Sequence, residues 1–366
     1  MQTEQISQIA KPLLTWYEAH ARVLPWRECP LPYNVWVSEI MLQQTRVEAV
    51  KPYYDRFICA LPDVCALAKA APDQLLKLWE GLGYYNRVRN LHRAAVMVVE
   101  KFDGIFPCRY EEVLSLPGIG KYTAAAICSI AFGQPYVVLD GNVCRVVARL
   151  TACEEDIMKE KTRSALRKAL QDIMPDERPG DFNQAIMELG ATVCLPNGEP
   201  RCTSCPVSQY CLAYEQANPS AYPVKTAQKP RKTEERLVFL LFHPDGGRIA
   251  LRRRPESGLL AGLWELPSVA SKDMGAEGAA KQLNEWGLRA SQLCACGKAV
   301  HVFTHREWHM AGFEATLHCV NLPDDWIWAD GVMLEKEIAL PSAFRVFLRL
   351  VEKRIGAGQT GELSWS

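Results

Sequence analysis

No stretch of this sequence approaches the roughly 18 consecutive apolar residues of a membrane-spanning helix, so no segment is expected to cross a bilayer. Net charge is absent as well, because 42 Lys and Arg balance 42 Asp and Glu. That balance argues neither for nor against nucleic acid as a partner, and local asymmetry matters more. From Lys225 to Arg254, nine basic residues stand against three acidic ones. The opening Met1-Gln-Thr-Glu-Gln has neither a basic n-region nor an apolar h-region, which predicts no secretory signal and a cytoplasmic location. There is no internal repeat and no low-complexity tract.

What the chain has in quantity is cysteine, 14 in 366 residues. In a reducing cytosol, clustered cysteines bind metal and scattered ones pack as small apolar side chains. Four of them, Cys194, Cys202, Cys205 and Cys211, fall within eighteen residues, separated by seven, two and five. Thiolates so spaced can converge on one centre, either an iron–sulfur cluster or a structural zinc. The other ten, including Cys59, Cys65 and Cys128, read as inert packing residues.

The length predicts two domains. Residues 1–213 read as mostly helical, with helix-spaced apolar runs such as 35–50 and 73–79. The polar, basic, proline-containing stretch 214–234 reads as a linker. After it the period changes. Leu237 to Phe242, the turn at Pro244–Gly247 and Arg248 to Arg252 predict a β-hairpin. A strand is expected over 301–305, paired with 310–318, and helices near 276–287 and 342–355. The second domain, 235–360, is thus expected to be a smaller α+β module.

Three segments carry chemistry. The first is Leu116-Pro-Gly118-Ile-Gly120, which opens a helix at Lys121 and centres a helix–hairpin–helix over about 111–132. Glycines let backbone approach a phosphate, and the helix N-terminus presents free N–H groups to it. The second is Leu139-Asp140-Gly141-Asn142. Asp140 suits a helix cap, and its carboxylate also suits a cation forming in a cleft, as when an N-glycosidic bond breaks. The third is Ser38-Glu39-Ile40-Met41-Leu42-Gln43-Gln44-Thr45, where Glu39 sits among apolar residues on an expected helix. Burial would raise its pKa and hold it protonated near neutral pH, as a general acid requires.

The hairpin, the downstream Asp140 and the cysteine loop together resemble the endonuclease III, or helix-hairpin-helix, superfamily of DNA glycosylases, and within it the MutY family of adenine glycosylases. The resemblance covers essentially the whole chain. It implies an all-α glycosylase domain with a [4Fe–4S] cluster on the loop 194–211, followed by a Nudix-like domain. It implies Glu39 as the acid that protonates adenine, Asp140 as the stabiliser of the sugar cation, and Asn142 and Tyr122 as residues of the same pocket. Arg22 and Arg27 would line that pocket or support Glu39. Gln44 and Tyr84 would intercalate or touch the opposite base, and Gly118, Gly120 and Lys121 would hold the backbone. His301, Phe303, Thr304 and His305 would read 8-oxoguanine. The partner it implies is double-stranded DNA with 8-oxoguanine·A or G·A mismatches, bound by a monomer.

Tyr122 stands where strand-cleaving members carry lysine. A phenol forms no Schiff base, and neighbouring Lys121 lies about 100° around the helix. A monofunctional glycosylase is therefore expected. Two departures from the family pattern are present: a seven-residue first cysteine gap where six is usual, and Thr304 where Ser is common. The cysteine loop also has a single basic residue, Arg201, opposed by Glu199, which predicts weak phosphate contact there. Three other readings compete. Another glycosylase of the superfamily is opposed by Tyr122 and the 8-oxoguanine-reading module, and a non-catalytic iron–sulfur damage-binding protein by Glu39 and Asp140. A Nudix hydrolase is opposed by the single carboxylate of the helical stretch 279–288.

Overall fold

The computed structural model describes residues 4–226 and 230–356. Residues 1–3, part of the expected linker (227–229) and the end of the expected second domain (357–360) lie outside the described residues. The chain divides into two compact units, one of Met1–Ala70 with Arg87–Gln228, the other of Ala71–Asn86 with Lys229–Ser366. The first is helical and the second contains a sheet. The segment 71–86 groups with the sheet-containing unit, whereas its sequence reads as part of the helical half.

In the first unit the helices that matter are α1 (Ala10–His20), α2 (Pro32–Leu42), α3 (Val47–Ala60), α4 (Asn86–Phe102), α5 (Tyr110–Ser115), α6 (Lys121–Phe132), α7 (Gly141–Leu150), α8 (Glu160–Gln171) and α9 (Pro179–Thr192). The run 35–50 is not one helix. It breaks between α2 and α3, where Gln44 takes a φ of 57°. The break is held by Arg87, whose buried guanidinium donates to the carbonyls of Ile40, Met41 and Gln43 at 2.9, 2.7 and 2.7 Å. Those carbonyls would otherwise be left unpaired at the helix end. The core is built where α1, α6, α7 and α9 meet, with Leu13, Val143, Val147, Phe182 and Leu189 fully or almost fully buried. Asn183, on α9 and 1% exposed, satisfies its whole amide there. It donates to Ser129 Oγ and Tyr136 O at 2.8 Å and accepts from Val138 N at 3.1 Å. The extended segment that delivers Asp140 is thereby pinned to α9.

Part of the stretch read as a linker is packed. Buried Arg149 donates through Nε to Tyr222 O at 3.0 Å, and Ile157 N donates to Val224 O at 3.1 Å. The last residues of that stretch already belong to a strand.

The second unit's sheet has strands β1 (Lys232–Phe242), β2 (Ile249–Arg253), β3 (Trp264–Glu265), β4 (Ser268–Ala270), β5 (Cys294–Val302), β6 (Arg306–Thr316) and β7 (Trp326–Ala329). Its main path runs β3-β2-β1-β6-β5, with β4 also on β1 and β7 on β2. β1 and β6 are parallel from Lys232↔Arg306 to Phe242↔Thr316. Both faces of β1 are covered. Val238, Leu240 and Phe242 pack with Phe347 and Val351 of the C-terminal helix α11 (Arg345–Gly356). Leu237, Phe239 and Leu241 pack with Ala279 and Leu283 of α10 (Ala276–Glu285). Two-sided burial explains why β1 reads as an unbroken apolar run rather than an alternation. The expected β1–β2 hairpin forms, pairing at Phe242↔Ile249. The expected strand 301–305 does not. β5 ends at Val302 and β6 begins at Arg306, so residues 303–305 are the connecting turn, closed by Phe303 N donating to Arg306 O at 2.8 Å. Among the described residues no helix is long and apolar enough to cross a membrane.

Candidate active site

The hairpin between α5 and α6 gives its two glycines different tasks. Gly118 has a φ of +79°, and a Cβ there would stand 2.6 Å from Asn90 Cβ, so both backbone and space demand glycine. Gly120 has ordinary extended geometry, and a Cβ would meet nothing within 4 Å. Its bareness leaves room for a ligand. As N-cap of α6 it supplies no side-chain hydrogen bond, so the first N–H groups of that helix face outward, beside exposed Lys121.

Tyr122, the second residue of α6, faces α2. Its hydroxyl donates to Met187 Sδ at 3.4 Å and also lies beside Glu39. Glu39 is 6% exposed, and its Oε2 has no hydrogen-bond partner among the described residues. Burial lifts its pKa from 4.5 to about 7; the Tyr122 hydroxyl and Arg27 pull it back, and Asp140 adds to the rise. A carboxylic acid held neutral at neutral pH, with one buried oxygen unpaired, keeps a proton that it can donate to a base brought against it. Burial likewise drives the Tyr122 phenol well above its ordinary value, so it stays neutral.

Both carboxylate oxygens of Asp140 are engaged. Oδ1 caps α7 by accepting from Val143 N at 2.7 Å, and Oδ2 accepts from Asn142 Nδ2 at 3.1 Å. Burial raises its pKa, opposed by these hydrogen bonds and by Arg145. Arg145 extends the chain of contacts: Nη2 donates to Asn142 Oδ1 at 3.0 Å and Nε to Cys194 O at 2.8 Å. Asp140, Asn142, Arg145 and the start of the cysteine loop are therefore one hydrogen-bonded row. A Cβ at Gly190 would stand 2.8 Å from Asn142 Cβ, so α9 can approach α7 this closely at that point with glycine alone.

Arg22 and Arg27 meet at a residue not singled out from sequence, Glu188. Arg22 Nη2 donates to Glu188 Oε2 at 3.1 Å, and Arg27 Nη2 to the same oxygen at 2.8 Å. Arg27 Nε also donates to Gln184 Oε1 at 3.1 Å. The Glu188 side chain is 1% exposed. Burial would push its pKa up, but the two guanidinia overcome that and hold it below its ordinary value. The available signal was Gln184 and Glu188 four apart in a helix of apolar neighbours, hence on one face. Arg87, Arg145 and Asn183 carried no such signal.

Gln44 and Tyr84 lie in separate units. Both are exposed and both have positive φ without being glycine, 57° and 50°. Such conformations cost free energy and mark sites held by their surroundings. Tyr84 OH is 2.7 Å from Thr304 Oγ1. Thr304 and His305 are exposed at the tip of the β5–β6 turn. Phe303 stands edge-on to His301 and to Trp308, with centroids 4.5 and 4.8 Å away, and Trp308 in turn lies under Arg236. Burial lowers the His301 pKa, which favours the neutral ring.

Cys194, Cys202, Cys205 and Cys211 border one pocket, with Val146, Leu150, Leu189, Val193 and Val207 supplying an apolar wall. Among the described residues, no three Cys, His, Asp or Glu side chains are placed to hold a single metal ion. Arg149 Nη1 lies 3.2 Å from Cys194 Sγ, a positive charge beside a prospective thiolate. Burial lifts the Cys205 and Cys211 thiols to about 12 and about 11. They are neutral unless a metal cation displaces their protons.

Two family models match the chain. One, described as "HhH-GPD superfamily base excision DNA repair protein", matches residues 37–172, and the other, a NUDIX domain, matches 237–350. An adenine DNA glycosylase of Homo sapiens is 39% identical over 351 residues, covering 80% of this chain and 64% of that protein. One of Schizosaccharomyces pombe is 34% identical over 370 residues, covering 82% and 80%. The chain thus spans about two thirds of the human relative's length. Among solved structures, a thermostable thymine-DNA glycosylase superposes with a TM-score of 0.52 at 28% identity, covering 58% of this chain and 98% of that one. An endonuclease III–DNA complex superposes with a TM-score of 0.51 at 23% identity, over 59% and 98%, a likeness of fold.

Proposed function

The chain belongs to the adenine DNA glycosylase family, and from that premise we propose that it hydrolyses the N-glycosidic bond of adenine mispaired with 8-oxoguanine or guanine in double-stranded DNA, in base excision repair. The observation that carries this is Glu39, a buried acid with a pKa near 7 and an unpartnered oxygen. An adenine extruded from the stack, at a cost that mispairing lowers, brings N7 to that oxygen. Glu39 passes its proton to N7, the C1′–N9 bond breaks, and adenine leaves with the bonding electrons. The sugar left behind carries oxocarbenium charge. Asp140, oriented through Asn142, stabilises it until water adds at C1′. Tyr122, neutral and without an amine, offers no Schiff-base route, so the backbone stays intact. Thr304 and the neighbouring His301, Phe303 and His305 read the opposite purine.

Four thiols that border one apolar-walled pocket fit a thiolate-held [4Fe–4S] cluster. Such a cluster would supply a rigid scaffold for the loop. The purified protein is expected to be yellow-brown with broad visible absorbance; a colourless protein holding stoichiometric zinc overturns the assignment.

The test of function is single-turnover base release on duplexes holding 8-oxoguanine·A, G·A, 8-oxoguanine·C or T·A, with and without alkaline treatment. Fast adenine release from the first, with nicks appearing after alkali alone, is the expected result. Direct nicking would contradict the role given to Tyr122, and tight binding without release would favour a damage-binding protein. Thr304→Ala is expected to narrow the preference for 8-oxoguanine·A over G·A, because the hydroxyl that meets the damaged purine is lost. An unchanged ratio would remove Thr304 from the reading role.

A further inference from the structure

A cationic cavity borders Tyr122, whose hydroxyl lies beside Glu39. It encloses about 280 Å³ and is lined by Lys121, Tyr122, Val137, Leu139, Glu160, Arg163 and Arg167. Two of its walls are shared with the chemistry already described. Tyr122 faces Glu39, and the carbonyl of Leu139, one residue before Asp140, accepts from Arg163 Nη2 at 2.9 Å. Arg163 and Arg167 stand one turn apart on α8, both half-buried, so their guanidinia point the same way into the cavity. Lys121 adds a third positive charge at the mouth. The opposing charge is Glu160, exposed and 3.9 Å from Arg167, a loose pair that an incoming anion can replace. Three cations against one carboxylate make the cavity a seat for a compact anion.

We propose that this cavity holds a DNA phosphodiester, the one adjoining the extruded deoxyadenosine. This deepens the glycosylase reading and rests on it. The sugar of that nucleotide must stand at Asp140, and its flanking phosphates are covalently tied within a few bonds of it. The bare N-terminus of α6 after Gly120 takes one phosphate through backbone N–H groups, and Arg163 with Arg167 takes the next. Guanidinia are the better donors for this, since their planar fork meets two phosphate oxygens at once. The seat also offsets the poverty of the cysteine loop, whose single basic residue, Arg201, is opposed by Glu199.

The test measures binding without turnover. The full-length protein is titrated with two duplexes, one holding a non-cleavable deoxyadenosine analogue opposite 8-oxoguanine and one undamaged G·C duplex, across a series of salt concentrations. For the R163Q/R167Q double variant, the slope of log K against log salt on the analogue duplex is expected to fall by about 0.9, the value for one lost phosphate contact. Affinity for that duplex should drop at least tenfold, with little change on the undamaged one. R163K/R167K keeps the charge and should recover most of the slope, whereas E160Q removes the competing carboxylate and should tighten binding. K168Q, on the same helix but paired with Asp172, should change nothing. An unchanged slope in the double variant, or an equal loss on both duplexes, overturns the seat. Thermal melting of each variant guards against a folding artefact. If the wild type shows no preference for the analogue duplex, it is the glycosylase reading that fails, and the slope on either duplex still reports whether the two arginines meet phosphate.

Discussion

Glu39→Gln should lower single-turnover adenine release at least about a hundredfold, the scale of a lost general acid, while mismatch binding stays nearly intact. Gln keeps the shape of the side chain and loses the transferable proton. The wild type supplies a second readout. Glu39 donates a proton, and burial holds its pKa near 7, so the rate should decline as pH rises through about 7 and level off below it. The variant's residual activity should lose that inflection. Stability moves in the same direction. A folded-state pKa raised from 4.5 to about 7 means that folding favours the protonated form. The wild type therefore loses stability as pH rises from about 4.5 through 7, by an amount of order 3 kcal/mol. Glu39→Gln escapes that loss and should melt at higher temperature than wild type at pH 8. Undiminished turnover, or a pH profile that keeps its inflection near 7 in the variant, would take the acid role away from Glu39.

Glu188→Gln should have the largest effect on stability. It leaves two guanidinia, those of Arg22 and Arg27, facing a neutral amide in a part of the structure where the carboxylate is almost fully buried. Breaking one partner of a buried pair costs about 3 to 5 kcal/mol. Arg22 is a third exposed, so the low end applies, and for a unit of this size about 3 kcal/mol corresponds to a fall of roughly 10 °C in Tm. The pH dependence is opposite in sign to that of Glu39. Glu188 has its pKa depressed in the fold. Its contribution is present above the ordinary carboxylate pKa and is lost as pH falls through the lower, folded-state value. The gap in Tm between wild type and variant should therefore close in acid. A variant that melts with the wild type at pH 7 would show that the three charges are held apart in solution. Because Arg27 also acts on Glu39, the same substitution should shift the inflection of the pH–rate profile.

Much of the site was legible in the residues themselves. Gly118-Ile-Gly120 before a helix predicts a hairpin that opens α6, four closely spaced cysteines predict thiols brought to one place, where they border one pocket, and a lone Glu39 in an apolar helix predicts a raised pKa. Each is a local signal, since composition and spacing over a few residues decide it. The change from helical to strand periodicity near residue 232 was legible for the same reason, whereas the grouping of 71–86 with the sheet-containing unit was not. What sequence could not place was set by partners far along the chain. Arg87 caps a helix more than forty residues before it, and so breaks the run 35–50 into two helices. Glu188 gathers Arg22 and Arg27 across some 160 positions. Residues 303–305 became a turn rather than a strand because the β5–β6 register, fixed by pairs such as Val302↔Glu307, leaves them at the bend. Asp140 could be read as a helix cap or as a catalytic carboxylate, and the fold shows one oxygen capping α7 while the other accepts from Asn142. Local chemistry is written in neighbouring residues. Which buried charge faces which, and therefore which pKa moves and in which direction, depends on distances that exist once the helices have packed.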